Sequence, residues 1–228
     1  MKLLKRTLEH IEDVLIDPLG EIQTKFKGFA IPRGSLGRLE ELAILYASIK
    51  GSVICKIAHK KIFTIAGDHG VVEEGVSAFP QQVTGQMVQN FLEGGAAINV
   101  LTRHIGAKVI VVDCGVASYL KAHPLLKIKK IGLGTNNMAV GPAMSRDAAI
   151  QSIEAGIELI EEELAEGIDI VGTGDMGIAN TTPSSAILSV LGRMDVVSAT
   201  GRGTGLDEES IQRKIHVIKK VRVITRTF

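Results

Sequence analysis

Apolar and polar positions follow two rhythms along this chain. In residues 2–16, Leu3, Leu4, Leu8, Ile11, Val14 and Leu15 recur at helical spacing among lysines and acids, which predicts an amphipathic helix. After a loop at Asp17-Pro18-Leu19-Gly20, PRGSLGRLEELAILYASIKG (32–51) predicts a second helix, with Ser35 as its N-cap and Gly51 as its stop. From residue 61 the rhythm changes. KIFTIAGDHG, AKVIVVDCGV and IDIVGTGDMG are short β-branched runs ending in glycine, and MDVVSATGRGTG is a weaker fourth. Between them lie helical patterns at 81–104 and 145–166. Buried-type strands alternating with helices predict an α/β fold: a parallel, doubly wound (Rossmann-like) sheet over residues 56–228, preceded by a small helical lobe over residues 1–55.

The polar residues gather where such a sheet binds ligands, outside the carboxyl ends of its strands. Asp68 and His69 end the first run, Asp113 the second, Asp175 and Asn180 the third, and GRGTG (201–205) the fourth. Glycine loops converging on one sheet edge suit a phosphorylated ligand, because they let backbone N–H groups approach an anion. Two helix starts point the same way. Thr181 or Thr182 can cap a helix with Pro183 in its first turn, and Asp207 can cap LDEESIQRKIHVIKK, which carries Lys214 two turns in. Taken singly, GRGTG is an ordinary turn and the GDHG acid can simply satisfy backbone groups. The loop around Asp175 does not match a dinucleotide fingerprint. No zinc spacing and no Ser/His/Asp order is legible.

Composition narrows the field. Of 228 residues, 45% are hydrophobic and 22% charged, so the chain can bury a core. A net charge of +1 calls for neither nucleic acid nor an anionic membrane. Cys55 and Cys114 sit in apolar runs and read as buried free thiols, which suits a cytoplasmic location. The N-terminus lacks the apolar core of a signal peptide, and no stretch is long enough for a membrane span. The remaining histidines (His10, His59, His104, His123 and His216) read as surface or cap residues, and Glu161-Glu162-Glu163 as a solvated helix face.

Three segments together are specific. GDHGVVEEGVSAFPQQVTGQMVQNFLEGGAAINVL (67–101), GTGDMGIANTT (172–182) and GRGTGLDEESIQRK (201–214) resemble the nicotinate-nucleotide–dimethylbenzimidazole phosphoribosyltransferases, the CobT family, and PRGSLGRLEEL (32–42) resembles that family's N-terminal segment. The resemblance implies transfer of the 5-phosphoribosyl group of nicotinate mononucleotide to 5,6-dimethylbenzimidazole. The products are α-ribazole 5′-phosphate and nicotinate, and the step belongs to cobalamin lower-ligand synthesis. It implies a homodimer acting on small molecules, with no cofactor or metal.

Residue by residue, the resemblance assigns Gly174, Gly177, Asn180, Gly201, Gly203, Gly205 and Lys214 to the phosphoribosyl part. Ser77, Phe79, Gln86 and Met176 fall near the aromatic base. Asp68 and His69 shape the site, and Asp175 is its acid. Two departures stand out. Asp175 replaces the family's glutamate with a side chain one methylene shorter. The family's general-base glutamate lies in a part that continues past the lysine helix, and KKVRVITRTF drifts from the helical pattern seen there. The chain therefore reads as a truncated form, incomplete at its C-terminus. The alternative function is a non-catalytic relative that binds nucleotide or benzimidazole. A third reading, a transferase for adenine or a phenol, keeps the same phosphate loops.

Overall fold

The computed structural model describes residues 2–17, 20–32 and 34–224. The chain divides into two compact units, one ending at Ala58 and the other starting at His59.

The first unit is helical: α1 (Lys2–Glu9), α2 (Glu21–Lys27) and α3 (Arg38–Lys50). The first helix stops well short of residue 16. The His10 ring meets the Arg6 carbonyl at 2.7 Å and its N–H closes a tight turn on Thr7, so the last carbonyls are satisfied and the helix ends. Ile11, Val14 and Leu15 consequently lie outside any helix. Asp17 instead starts the next one, accepting the Ile22 and Gln23 N–H groups at 2.9 and 3.0 Å. Ser35 is not the cap of α3. That position falls to Gly37, with Ser35 in the preceding turn. Gly51 does end α3 in the left-handed conformation; its N–H and that of Ser52 return to the Ser48 and Ala47 carbonyls, a Schellman closure.

The second unit holds β1 (Lys60–Gly67), α4 (Val83–Leu92), α5 (Ala97–Ile105), β2 (Lys108–Gly115), β3 (Leu126–Ile128), α6 (Arg146–Leu164), β4 (Ile170–Met176), α7 (Thr181–Leu191), α8 (Val196–Ala199) and α9 (Glu208–Ile224). Among the described residues the strands form one parallel sheet in the order β3-β2-β1-β4. Both faces are covered, as the apolar runs require. Val111 and Ala66 pack under Val88, Phe91 and Leu92 of α4. Phe63, Ile110 and Val112, one residue out of phase, pack under Leu159 of α6. A third cluster joins α7, α8 and α9 through Ala186, Val196, Ile215 and Ile218.

Three expectations change here. The weak fourth run is no strand: the Asp195 carboxylate accepts the Val197 and Ser198 N–H groups and turns the chain into α8. The fourth strand is the short β3. The pattern at 81–104 is two helices, broken where Gly94 takes φ +78° and the Gly95 N–H returns to the Asn90 carbonyl. Glu163 does not lie on a solvated face. It is 2% exposed and meets Lys61 at 2.6 Å and Lys127 at 2.9 Å. The thiols of Cys55 and Cys114 are free but only half-buried. Among the described residues no helix is long and apolar enough to cross a membrane.

Candidate active site

At the carboxyl ends of β1, β2 and β4 the backbone opens. The β1–β2 register slips between Ala66 and Gly67, so Gly67 pairs with Gly115, and the Asp68 N–H still reaches the Gly115 carbonyl. Here lies a cleft of about 280 Å3 lined by Asp68, His69, Cys114, Gly115, Asp175, Met176 and Asn180. Gly132, Gly134, Thr135 and the α6 side chains Ala148 and Ser152 also line it.

Each polar group is placed by its neighbours. Asp68 is 3% exposed; its Oδ2 accepts the Ala117 N–H at 2.8 Å, its own N–H goes to the Gly115 carbonyl, and its carbonyl accepts the Thr135 N–H. Its Oδ1 is enclosed without a hydrogen-bond partner among the described residues. Asp113 is a scaffold rather than a cleft residue: Oδ1 accepts the N–H groups of Gly115 and Val116, and the Lys130 ammonium lies 3.0 Å from Oδ2. Asp175 projects from β4 and accepts a hydrogen bond from the Asn180 side chain. With its amide so committed, Asn180 sits at the N-cap position of α7 without capping through its side chain. Thr181 and Thr182 are the first helical residues, not caps. The turn between acid and helix carries Ala179 at φ +71°, and the Ile178 N–H donates to the buried Thr84 hydroxyl of α4.

Gly177 is there because nothing larger fits: a Cβ would lie 2.1 Å from the Gly67 carbonyl oxygen and 3.3 Å from the His69 ring. Gly174 is a glycine within β4, paired with Thr64, rather than part of a loop. Burial pushes the His69 imidazole below its ordinary value, while Asp68 and Asp175 oppose the shift. Burial and the neighbouring Asp113 push the Cys114 thiol up, against Lys129.

A second cluster forms at the start of α7. Lys214 is fully buried, and its Nζ donates to the Thr181 hydroxyl at 2.7 Å and to the Gly201 carbonyl at 3.3 Å. Gly203, at φ +53°, lies so close that a Cβ would stand 2.9 Å from Thr181 Oγ1 and 3.4 Å from Lys214 Nζ. Among the described residues no carboxylate pairs with this ammonium, and burial lowers its pKa. Asp207 starts α9 as expected, accepting the Ser210 N–H at 2.9 Å. Gly205, at φ +93°, closes the turn on the Arg202 carbonyl, and an added Cβ there would meet nothing within 4 Å.

The residues expected near an aromatic base are dispersed. Met176 lines the cleft, while Gln86 lines a neighbouring depression of about 630 Å3 with Gln81, Gln82, Ala117 and Ser118. Asp68 forms part of the wall of both. Ser77 and Phe79 lie in the loop before α4, tied by a 3.4 Å contact from the Phe79 N–H to Ser77 Oγ, and line neither space. Sequence reasoning missed the wall at Gly132–Thr135. Its signal was the glycine pair in IGLGTNN: Gly134 takes φ +91° with its would-be Cβ 3.2 Å from Asp68 Cβ. Thr84 carried no comparable signal.

The comparisons with known proteins agree with one another. The family profile described as phosphoribosyltransferase matches residues 17–226. The nicotinate-nucleotide–dimethylbenzimidazole phosphoribosyltransferase of Desulforudis audaxviator is 50% identical over 226 residues, covering 99% of this chain and 64% of that protein. The protein of the same name from Geotalea uraniireducens is 51% identical over 220 residues, covering 96% of this chain and 62% of its own. The crystal structure of CobT from Thermus thermophilus superposes with a TM-score of 0.86 at 40% identity, covering 91% of this chain and 62% of that one. The chain thus spans somewhat less than two thirds of the length of these relatives.

Proposed function

This chain belongs to the phosphoribosyltransferase family, and on that premise we propose that it transfers the 5-phosphoribosyl group of nicotinate mononucleotide to 5,6-dimethylbenzimidazole, releasing nicotinate. One observation carries the reading: a fully buried lysine, without a carboxylate partner among the described residues, held against the first turn of an 11-residue helix. A buried cation is costly unless an anion joins it, and a helix N-terminus supplies further donors for that anion. Lys214, the Thr181 hydroxyl and the close backbone of Gly201 and Gly203 form the phosphate seat. Thr181 directly follows Asn180, so the ribose extends from that seat toward the Asp175–Asn180 pair and the cleft.

The chemistry asks for positioning more than for reactive groups. The pyridinium nitrogen leaves C1′ as a benzimidazole nitrogen arrives from the opposite face, which inverts the β-linkage to α. Asp175, an exposed carboxylate, faces positive charge developing at the ribose and stabilises it. Met176 and Gln86 border the two spaces open to the aromatic base. A homodimer and a cytoplasmic location go with this reading; two free thiols suit a reducing compartment.

The test is a product assay with nicotinate mononucleotide and 5,6-dimethylbenzimidazole, beside thermal unfolding with each ligand. The expected result is α-ribazole 5′-phosphate and a raised Tm with the mononucleotide. Lys214→Met should remove the Tm shift and weaken binding roughly ten- to a hundredfold, the worth of a charge-assisted hydrogen bond, without lowering the stability of the free protein. Absence of both product and shift would sink the reading.

A further inference from the structure

We infer that Lys130 sets the width of the depression between α4 and the 115–120 segment, and with it the affinity for the aromatic base. It is a positioning residue, not a catalytic one, and the assignment rests on the transferase reading above.

The chain past β3 still runs beside β2. The Lys129 N–H donates to the Asp113 carbonyl at 2.8 Å, and the Ile131 N–H to the Cys114 carbonyl at 3.0 Å. The backbone of Lys130 is thereby fixed on both sides. Side chains alternate along such a run. Lys129 turns to α6, where it meets Glu158 and Glu162 at 2.7 Å. Lys130 turns to the opposite face. There its ammonium donates to the Val116 carbonyl at 2.6 Å and the Ser118 carbonyl at 3.0 Å, and lies 5.7 Å from the centre of the Tyr119 ring. The same ammonium stands 3.0 Å from Oδ2 of Asp113, a fully buried carboxylate whose Oδ1 holds the Gly115 and Val116 N–H groups. With its donors on the two carbonyls, Lys130 balances Oδ2 by charge, and among the described residues no hydrogen bond reaches that oxygen. A buried carboxylate without such a cation is costly.

One cation thus gathers the end of β2 and the segment that follows it. That segment is a wall of the depression. Ala117, Ser118 and Leu120 line it from there, and Gln82, Gly85 and Gln86 from the start of α4. The α4 side is held by the packing of Val88, Phe91 and Leu92 on the sheet. The two sides stand close, since a Cβ on Gly85 would lie 3.2 Å from Ser118 Oγ. The Ala117 N–H also holds Oδ2 of Asp68, the carboxylate shared by depression and cleft. Releasing the segment from Lys130 alters the gap into which a flat heteroaromatic ring must fit and frees Asp68 to turn. The Lys214–Thr181 pair, on α9 and α7, keeps its own contacts.

Lys130→Met tests this, with Lys130→Arg as the conservative variant. Because Lys130→Met leaves the Asp113 carboxylate unbalanced, the double variant Asp113→Asn/Lys130→Met removes that charge as well. In Lys130→Met and in the double variant the KM for 5,6-dimethylbenzimidazole should rise roughly tenfold or more, the scale of a small misplacement. The Tm shift with nicotinate mononucleotide should be kept, and Lys130→Arg should recover most of the base affinity. A lysine that only supports the fold would lower stability without separating the two substrates, so an unchanged KM for the base in the double variant would overturn the inference. Amide exchange reads the same hold without turnover. The Ala117 N–H should exchange roughly tenfold faster or more in the double variant, and unchanged exchange would also overturn the inference. Wild type without product would count against the transferase reading alone, with Ala117 exchange still deciding whether Lys130 holds this wall.

Discussion

Ala179 shows what one side chain costs at this site. At φ +71° its Cβ crowds the backbone, a conformation about 1–2 kcal/mol unfavourable for any residue but glycine, asparagine or aspartate. The turn tolerates it because both ends are fixed: the Ile178 N–H is on Thr84, and the Asn180 side chain is on Asp175. Ala179→Gly removes the crowding and raises the entropy of the unfolded chain by a smaller amount, about 0.5–1 kcal/mol. Urea unfolding should therefore show a net gain of about 0.5–1 kcal/mol. A loss would mean that the methyl group's packing against the α7–α9 cluster outweighs the strain.

At the scale of elements, short polar signals decide where helices begin. MDVVSATG has the β-branched content of a strand, yet one carboxylate makes it a helix. Asp195→Ala should cost about 1 kcal/mol, the usual worth of an N-cap. Because Val196 seats in the α7–α9 cluster, α8 should loosen against its neighbours, visible as faster amide exchange in Val197 and Ser198. Unchanged exchange would show that packing alone holds the helix. The same logic explains the break at Gly94, where the left-handed turn ends α4 and the Asn99 side chain binds the Ala96 N–H at the start of α5.

At the scale of the molecule, the sheet hides an ion pair under α6. Burial pushes the Glu163 carboxyl up, but hydrogen bonds from Lys61 and Lys127 outweigh it and hold it below its ordinary value of 4.5. A carboxylate depressed on folding adds stability above its unfolded pKa and loses it as pH falls through the folded one. Acid unfolding should thus steepen below about pH 4.5. Glu163→Ala leaves buried Lys61 with only the longer, exposed contact to Glu166 at 3.5 Å and should cost about 2–4 kcal/mol at pH 7, somewhat less than a buried charge left wholly unpaired. The difference from wild type should shrink as the buffer is acidified, and a difference constant with pH would argue that Glu163 contributes packing alone.

Much of this protein was legible in its residues. Three β-branched runs with out-of-phase apolar faces could only be strands buried on both sides, and their glycine-terminated ends located Asp68, His69, Asp175 and Asn180 before any coordinates. Local signals worked where the energy is local: the Gly51 stop and the Asp207 cap depend on residues a turn away. They failed where distant contacts compete. Glu163 is buried because Lys61, 102 residues away in sequence, meets it on the sheet. Lys214 and Thr181, on separate helices, come within hydrogen-bond reach only when α9 packs on α7. The approach of the His69 ring to Gly177 is likewise a property of the assembled cleft, since β1 and β4 must pair before the residues that follow them can meet.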